Sequence, residues 1–202
     1  YDGKGVCILR SSQDLESLPD VPCIIETCAD ISKEISVIAS RDESGRTSLF
    51  PIVEMEFNPT ANLVEFLISP ASITHEMEVQ AKQHVMTLME SSGFVGLLAV
   101  EFFITHAGEL WVNEMAPRPH NSGHHTIEGC RTSQYEQHLR AILNLPPGDT
   151  QMTAPCAAMI NILGDKNARG IAEFTGIEEA QSIPGVFIHL YKKKQVAPFR
   201  KM

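Results

Sequence analysis

The longest regular pattern of apolar positions runs from about Thr74 to Ser92, where Met77, Ala81, Val85 and Leu88 recur at helical spacing. Acidic side chains fall in its first turn and Gly93 follows its end, so a helix closed by a left-handed glycine is predicted. A second helix is expected from Ser133, because Ser133 with Glu136 three residues later makes a capping-box pattern. Its apolar stripe is Tyr135, Leu139 and Ile142 with Leu143, and Pro146-Pro147 stops it. Elsewhere the apolar residues form short β-rich runs: Val6 to Arg10, Cys23 to Thr27, Ile35 to Ser40, Thr47 to Glu54 and Asn62 to Ser69. Gln13 to Leu18 is a short helical candidate. Glu43-Ser44-Gly45-Arg46 is a turn signal that makes a hairpin of the runs on either side, and Pro70 ends the last run. Val95 to Thr105 and Leu110 to Met115 are two further strands. Beyond Pro147, Ala157 to Leu163 and Val186 to Tyr191 look like strands of a smaller β-rich lobe. Strands mixed with two helices predict an α+β class, divided into 1–146 and 147–202, with no internal repeat.

The strands at Val95 to Thr105 and Leu110 to Met115 are joined by His106-Ala107-Gly108-Glu109. A two-residue loop at Ala107-Gly108 places Glu101 directly opposite Glu114 on one face of the ladder. Their Cβ atoms are then about 4.5–5.5 Å apart. Two carboxylates so placed repel unless water or a cation lies between them. A hard divalent ion held by one or two carboxylates and by substrate phosphates is one solution. An exposed edge where both side chains fan into solvent is the other, and a one-residue slip abolishes the pairing.

Directly after Glu114 comes Ala116-Pro117-Arg118-Pro119-His120-Asn121-Ser122-Gly123-His124-His125. Two prolines and a glycine shape an irregular backbone, and the side chains between them are almost all polar. Arginine suits bidentate recognition of phosphate or carboxylate. His120, Asn121 and Ser122 offer donors and acceptors for an anionic sugar phosphate. A solvated connection and a zinc site built from His120 with His124 or His125 are the competing readings.

Composition narrows the function classes. The chain has 202 residues, 43% of them hydrophobic, and a net charge of -9. That charge argues against a nucleic-acid or anionic-membrane binder, which needs a basic face. No apolar run approaches the length that spans a bilayer. Cys7, Cys23, Cys28, Cys130 and Cys156 are odd in number and scattered, as reduced thiols of a cytoplasmic protein are. Gly3-Lys4-Gly5 before a β-rich run could wrap phosphates with its backbone N–H groups. Lys192-Lys193-Lys194 with Arg200-Lys201 forms a basic cluster on an acidic chain. The chain opens inside a glycine-rich stretch and closes on Arg200-Lys201-Met202, so both ends are expected to continue in a longer protein.

Together these segments resemble the ATP-grasp superfamily and, within it, the 5-(carboxyamino)imidazole ribonucleotide synthase family. The opening Tyr1-Asp2-Gly3-Lys4-Gly5 is similar to that family's glycine-rich loop, and the string from Asn113 through Pro117-Arg118-Pro119-His120-Asn121-Ser122 is specific to it. The resemblance implies that Gly3, Lys4, Gly5, Glu26, Thr27, Cys28, Ala29, Glu34, Asn113 and Glu114 bind ATP. Glu101 and Glu114 would hold Mg2+, with Mn2+ as an alternative. It implies Tyr1, Asp2, Arg118, His120, Asn121, Ser122, Lys194, Arg200 and Lys201 as contacts of aminoimidazole ribonucleotide, with Lys193 competing for the place of Lys194. Arg118, Glu101 and Glu114 would be the catalytic set. Phe57 departs from relatives that carry a histidine there, so it receives no role.

The implied fold is the C-terminal part of an ATP-grasp domain, a mostly antiparallel sheet with flanking helices, followed by the small lobe. The implied activity is ATP-dependent carboxylation of aminoimidazole ribonucleotide with bicarbonate, through carboxyphosphate and without biotin, in a homodimer. The segment by itself is expected to bind ATP poorly. A formate-dependent glycinamide ribonucleotide transformylase is the nearest rival, because it shares Pro-Arg-Pro-His but continues differently. A non-catalytic assembly module is the rival from another class.

Overall fold

The computed structural model describes residues 6–18, 20–58 and 63–202. Tyr1, Asp2, Gly3, Lys4 and Gly5 therefore lie outside the described residues. The first regular element is a 3-10 turn at Ser12–Ser17, closed through the Asp14 carboxylate, which accepts from the Ser11 backbone at 2.7 Å. The segment that follows is irregular. Cys23 to Thr27 is not the strand its composition suggests, for Ile24 and Ile25 are each 83% exposed. Among the described residues those side chains have no sheet neighbour to pack against, and β propensity is realised only where such neighbours exist.

Strand β1 (Ile31–Arg41) is the centre of the molecule. It pairs antiparallel with β2 (Thr47–Leu49), β3 (Val53–Asn58) and β5 (Gly96–Thr105). The expected single strand from Thr47 to Glu54 is broken between β2 and β3 at Phe50-Pro51-Ile52, where proline has no N–H to give a ladder. β4 (Leu63–Ser69), β6 (Leu110–Ala116) and β7 (Ala157–Ile160) complete a seven-stranded sheet of order β6-β5-β1-β3-β4-β7, with β2 beside β1. β7 joins the large sheet as an edge strand, pairing with the outer edge of β4.

Helix α1 (His75–Ser92) is capped by the Thr74 hydroxyl, which accepts from the Met77 N–H at 3.2 Å, and it ends at Gly93 with φ 62°. Its Ala81, Val85 and Met89 pack on Ile35, Val37, Leu98, Val100 and Phe102. The alternate residues of the same strands face the other side. Ile38, Leu97 and Ala99 form a smaller cluster there with Ala116 and Cys130, under α2 (Thr126–Gly129) and α3 (Gln134–Ile142). Ser133 caps α3 as the pattern predicts, its hydroxyl accepting from the Glu136 N–H at 3.2 Å.

The buried face of α3 reverses the expectation. Gln134, Gln137 and Ala141 are inside, whereas Tyr135, Leu139, Ile142 and Leu143 are between 41 and 63% exposed. Two glutamines can be buried here because each meets polar partners, the His120 backbone for Gln134 and the Ser40 hydroxyl with the Gly148 N–H for Gln137. The rest of the chain carries β8 (Gly170–Ile171), the short α4 (Ile177–Gln181) and β9 (Gln195–Val196), with β8 paired to β9. Val186 to Tyr191 is not a strand; its last residue donates one backbone bond, from Tyr191 to Met202. All five cysteines are free thiols. No helix among the described residues is long and apolar enough to cross a membrane.

Candidate active site

The β5–β6 hairpin brings Glu101 opposite Glu114, by a route that the spacing alone does not reveal. The loop is three residues long: Thr105 donates to the Glu109 carbonyl at 2.9 Å, and Gly108 takes the left-handed conformation with φ 80°. This slides the ladder by one, pairing Phe102 with Val112. An irregularity at Asn113 then slides it back, so Glu101 meets Glu114 after all. The bulge sits between the two carboxylate positions and the hairpin tip, which keeps both glutamates on the face that carries α3.

Glu101 is only 6% exposed, while the Glu114 side chain is 62% exposed. Burial, reinforced by the charges of Glu114 and Glu34, pushes the Glu101 carboxyl up to about 7, with Lys201 opposing. Glu34 lies on the same face of β1, two residues from Ser36, the register partner of Glu101, and burial moves it to about 7 as well. The His120 ring stands between the two hairpin carboxylates, its Nδ1 3.6 Å from Glu101 and its Nε2 4.0 Å from Glu114. Burial first, then Arg118, Lys201 and His124, lower its pKa to about 4. His120 is therefore neutral at pH 7, and these approaches are not salt bridges. Ligand atoms of Glu101, Glu114 and His120 lie within 4.8 Å of one another, a group able to share one cation. Neither His124 nor His125 belongs to it: His124 Nδ1 faces Gln134 and Tyr135, and His125 Nδ1 bonds the Ser122 carbonyl. The two carboxylates, with open solvent on the Glu114 side, suit a hard divalent ion that keeps positions for phosphate oxygens, whereas the imidazole is a softer ligand that such an ion does not need.

The polar loop is stacked on this cluster. A 3-10 turn at Asn121–Gly123 sets the Ser122 hydroxyl 2.9 Å from that of Ser36 and 3.0 Å from His120 Nδ1. Arg118 is exposed and donates to the Pro119 carbonyl at 3.1 Å. Gln134 is fully buried and bonds His120 through both of its amide atoms. Gly123 is obligatory for packing: a Cβ there would come within 2.5 Å of Ile38 Cδ1 and closer still to Gln134 Oε1.

The C-terminal basic segment reaches the same loop. Asn121 and Asn161 exchange amide hydrogen bonds of 3.0 and 2.9 Å, and Lys201 Nζ donates to Asn121 Oδ1 at 3.0 Å. Lys193 bonds the Lys201 carbonyl and lies 5.2 Å above the Tyr191 ring, which packs edge-on against His124. Lys194 and Arg200 are exposed, the latter donating to the Gln195 carbonyl. Glu26, Thr27 and Cys28 are exposed on the irregular segment before β1, with Ala29 half-buried. Of the residues singled out by sequence, the fold thus gathers Glu34, Glu101, Glu114, His120, Asn121, Ser122 and Lys201. Gln134, Asn161 and Ser36 were not anticipated. Nothing in their spacing marks them, since each acts through a partner distant in the chain.

Comparison with known proteins agrees with this geometry. The sequence model of the ATP-grasp domain matches residues 1–135, and that of the phosphoribosylaminoimidazole carboxylase C-terminal domain matches residues 157–202. The chain belongs to the ATP-grasp family. Its relatives include proteins named N5-carboxyaminoimidazole ribonucleotide synthase and phosphoribosylaminoimidazole carboxylase. The chain is 38% identical over its whole length to a chloroplastic phosphoribosylaminoimidazole carboxylase of Vigna aconitifolia, of which it covers 37%. The crystal structure of the N5-carboxyaminoimidazole ribonucleotide synthetase of Thermotoga maritima superposes with a TM-score of 0.86 at 41% identity, over 95% of this chain and 51% of that one. An Aspergillus clavatus synthase in complex with ADP and 5-aminoimidazole ribonucleotide gives 0.78 at 33% identity, over 94% and 50%. The chain spans about half or less of the length of the curated relatives it matches.

Proposed function

We propose that the full-length protein carboxylates 5-aminoimidazole ribonucleotide with bicarbonate and ATP, giving 5-(carboxyamino)imidazole ribonucleotide in purine synthesis. The observation that carries this is the Glu101–Glu114–His120 cluster lying directly under the polar loop from Arg118 to Ser122, in a chain of this family. In the proposed sequence a bicarbonate oxygen attacks the γ-phosphorus of ATP, releasing ADP and forming carboxyphosphate. The exocyclic amine of the ribonucleotide then attacks the carboxyl carbon, phosphate leaves, and the amine loses a proton. Magnesium, or manganese, held by Glu101 and Glu114 would offset the charge on the transferring phosphoryl group.

The family resemblance assigns ATP binding to Glu34, Asn113, Glu26, Thr27, Cys28 and Ala29, and to Gly3, Lys4 and Gly5, which lie outside the described residues. Arg118 is exposed beside the cluster, where its guanidinium can bind bicarbonate or the developing phosphate. His120, Asn121 and Ser122, with Tyr1 and Asp2, hold the ribonucleotide. For its phosphate we favour Lys193 over Lys194, together with Arg200 and Lys201. Support for that choice is the hydrogen bond from Lys193 to the backbone of Lys201, whose own side chain reaches Asn121. The division into 1–146 and 147–202, a homodimer and a cytoplasmic setting follow from the same reading. No role is proposed for biotin. The transformylase reading is not favoured, because residues 157–202 match the carboxylase C-terminal domain.

The test is phosphate release from Mg-ATP and bicarbonate, measured on the full-length protein. Aminoimidazole ribonucleotide should stimulate it, and glycinamide ribonucleotide with formate should not; the opposite pattern would move the substrate assignment to the transformylase. A second expectation concerns the cation. Protons compete with it for Glu101, whose carboxyl is raised to about 7. Mg2+ affinity should therefore climb by up to about tenfold per pH unit below that value and level off above it. Calorimetric titration on both sides of pH 7 reads this, and a flat profile would remove Glu101 from the ligand set.

A further inference from the structure

The loop that carries His120, Asn121 and Ser122 has no regular structure before its 3-10 turn, yet its reacting neighbours must be held to a fraction of an ångström. The ring of His120 meets Ser122, and its backbone is held by a side chain from α3. The carboxamide of Gln134 accepts from the His120 N–H at 2.9 Å and donates to the His120 carbonyl at 2.8 Å. Its second amide hydrogen points at His124 Nδ1, 3.0 Å away. The Gln134 N–H in turn donates to the Thr126 hydroxyl, which donates to the Gly123 carbonyl at 2.6 Å, so both ends of the loop are tied to the first turn of α3. Glutamine alone fits this place. Glutamate lacks the donor, asparagine is one methylene short, and methionine has the size without either bond.

We infer that Gln134 is a positioning residue for carboxyl transfer, setting where the loop presents the ribonucleotide amine to the carboxyl donor. The inference rests on the function proposed above. Carboxyphosphate has two fates: attack by the amine gives carbamate and phosphate, and attack by water gives bicarbonate and phosphate. Each ATP yields one phosphate either way, so the ratio of phosphate released to carboxylated product reports how well the loop is held. Displacing a reacting group by about 1 Å costs on the order of a hundredfold in rate, and water then competes.

The experiment compares Gln134→Met with Gln137→Met in the full-length protein. Gln137 is equally buried one turn further on, but its amide bonds Ser40 and the Gly148 N–H, away from the loop. Both variants lose buried hydrogen bonds and should melt earlier. Only Gln134→Met should raise the KM for aminoimidazole ribonucleotide, by about tenfold, and lift the phosphate-to-product ratio to about three or more, with the KM for ATP within about twofold of wild type. Equal effects in the two variants would overturn the inference and leave Gln134 a structural residue. If Gln134→Met does not fold, Gln134→Glu, which keeps the acceptor and loses the donor, carries the same expectation. Should the ribonucleotide fail to stimulate the wild type, the proposed function falls and the substrate leaves the inference with it. Hydrogen exchange at the His120 amide then decides the clasp: faster exchange in Gln134→Met supports it, and unchanged exchange refutes it.

Discussion

Glu101→Gln is expected to lower ribonucleotide-dependent phosphate release by roughly a thousandfold, and at the same time to stabilise the metal-free protein above pH 7. The two effects have one cause. A carboxyl raised to about 7 by burial and by its acidic neighbours is held more readily in its protonated form by the folded protein than by the unfolded chain. Its contribution is therefore complete below the unfolded value of 4.5, declines as pH rises, and is lost above about 7. The loss amounts to about 3 kcal/mol at the plateau. Glutamine fills the same space with no proton to lose, so the melting curves of variant and wild type should coincide near pH 4.5 and separate by pH 7. His120 and His125, both lowered to about 4, act with the opposite sign: each costs stability as pH falls from 6.5 toward its folded value. They are common to both proteins and cancel in the comparison. Added Mg2+ should raise the melting temperature of the wild type and leave Glu101→Gln unmoved. A variant that turns over normally, or that gains nothing in stability above pH 7, would contradict the cation-site reading of this pair.

Gly123→Ala should destabilise the protein by about 3 kcal/mol and disable the loop together with the fold around it. The new methyl would stand within 2.5 Å of Ile38 Cδ1 and overlap Gln134 Oε1. Ile38 is part of the buried cluster with Leu97, Ala99 and Phe50, so it has nowhere to retreat. Overpacking of this kind costs about 1–3 kcal/mol, and pushing Gln134 aside leaves the buried polar groups it satisfies without partners, for about as much again. Thermal unfolding should show a drop of roughly 6–12 °C for a chain of this length. A shift of a degree or less would mean that the helix and the loop can part at little cost, which would also weaken the case for Gln134 as their clasp.

The carboxylate pair illustrates how much was legible in the chain. Period-two alternation around a short loop put Glu101 opposite Glu114, and they are opposite. A two-residue loop would also pair them, whereas the molecule uses three residues and restores the register with a bulge at Asn113. Local alternation cannot register an inserted residue that a second insertion cancels. Helix α1 was legible in its span and closing glycine, and Ala81 and Val85 of its expected stripe are buried, with Met89 rather than Leu88 completing the buried set. For α3 the cap was legible and the buried face was not. Tyr135 and Leu139 make the more hydrophobic side, yet the side turned inward carries Gln134 and Gln137. Periodicity assumes an apolar floor; the floor here offers Ser40 and the backbone of His120.

What the sequence determined by itself was therefore chemical and local: the helix ends, the strand runs, the glutamates and the polar loop that follows them, and the family they resemble. Only the tertiary structure decided which distant groups meet. It set His120 between two carboxylates, joined Asn121 to Asn161 and Lys201, and buried Gln134 against the loop. The physical reason is desolvation. A polar side chain's worth depends on whether it is buried and on what it faces there, and both depend on neighbours many residues away.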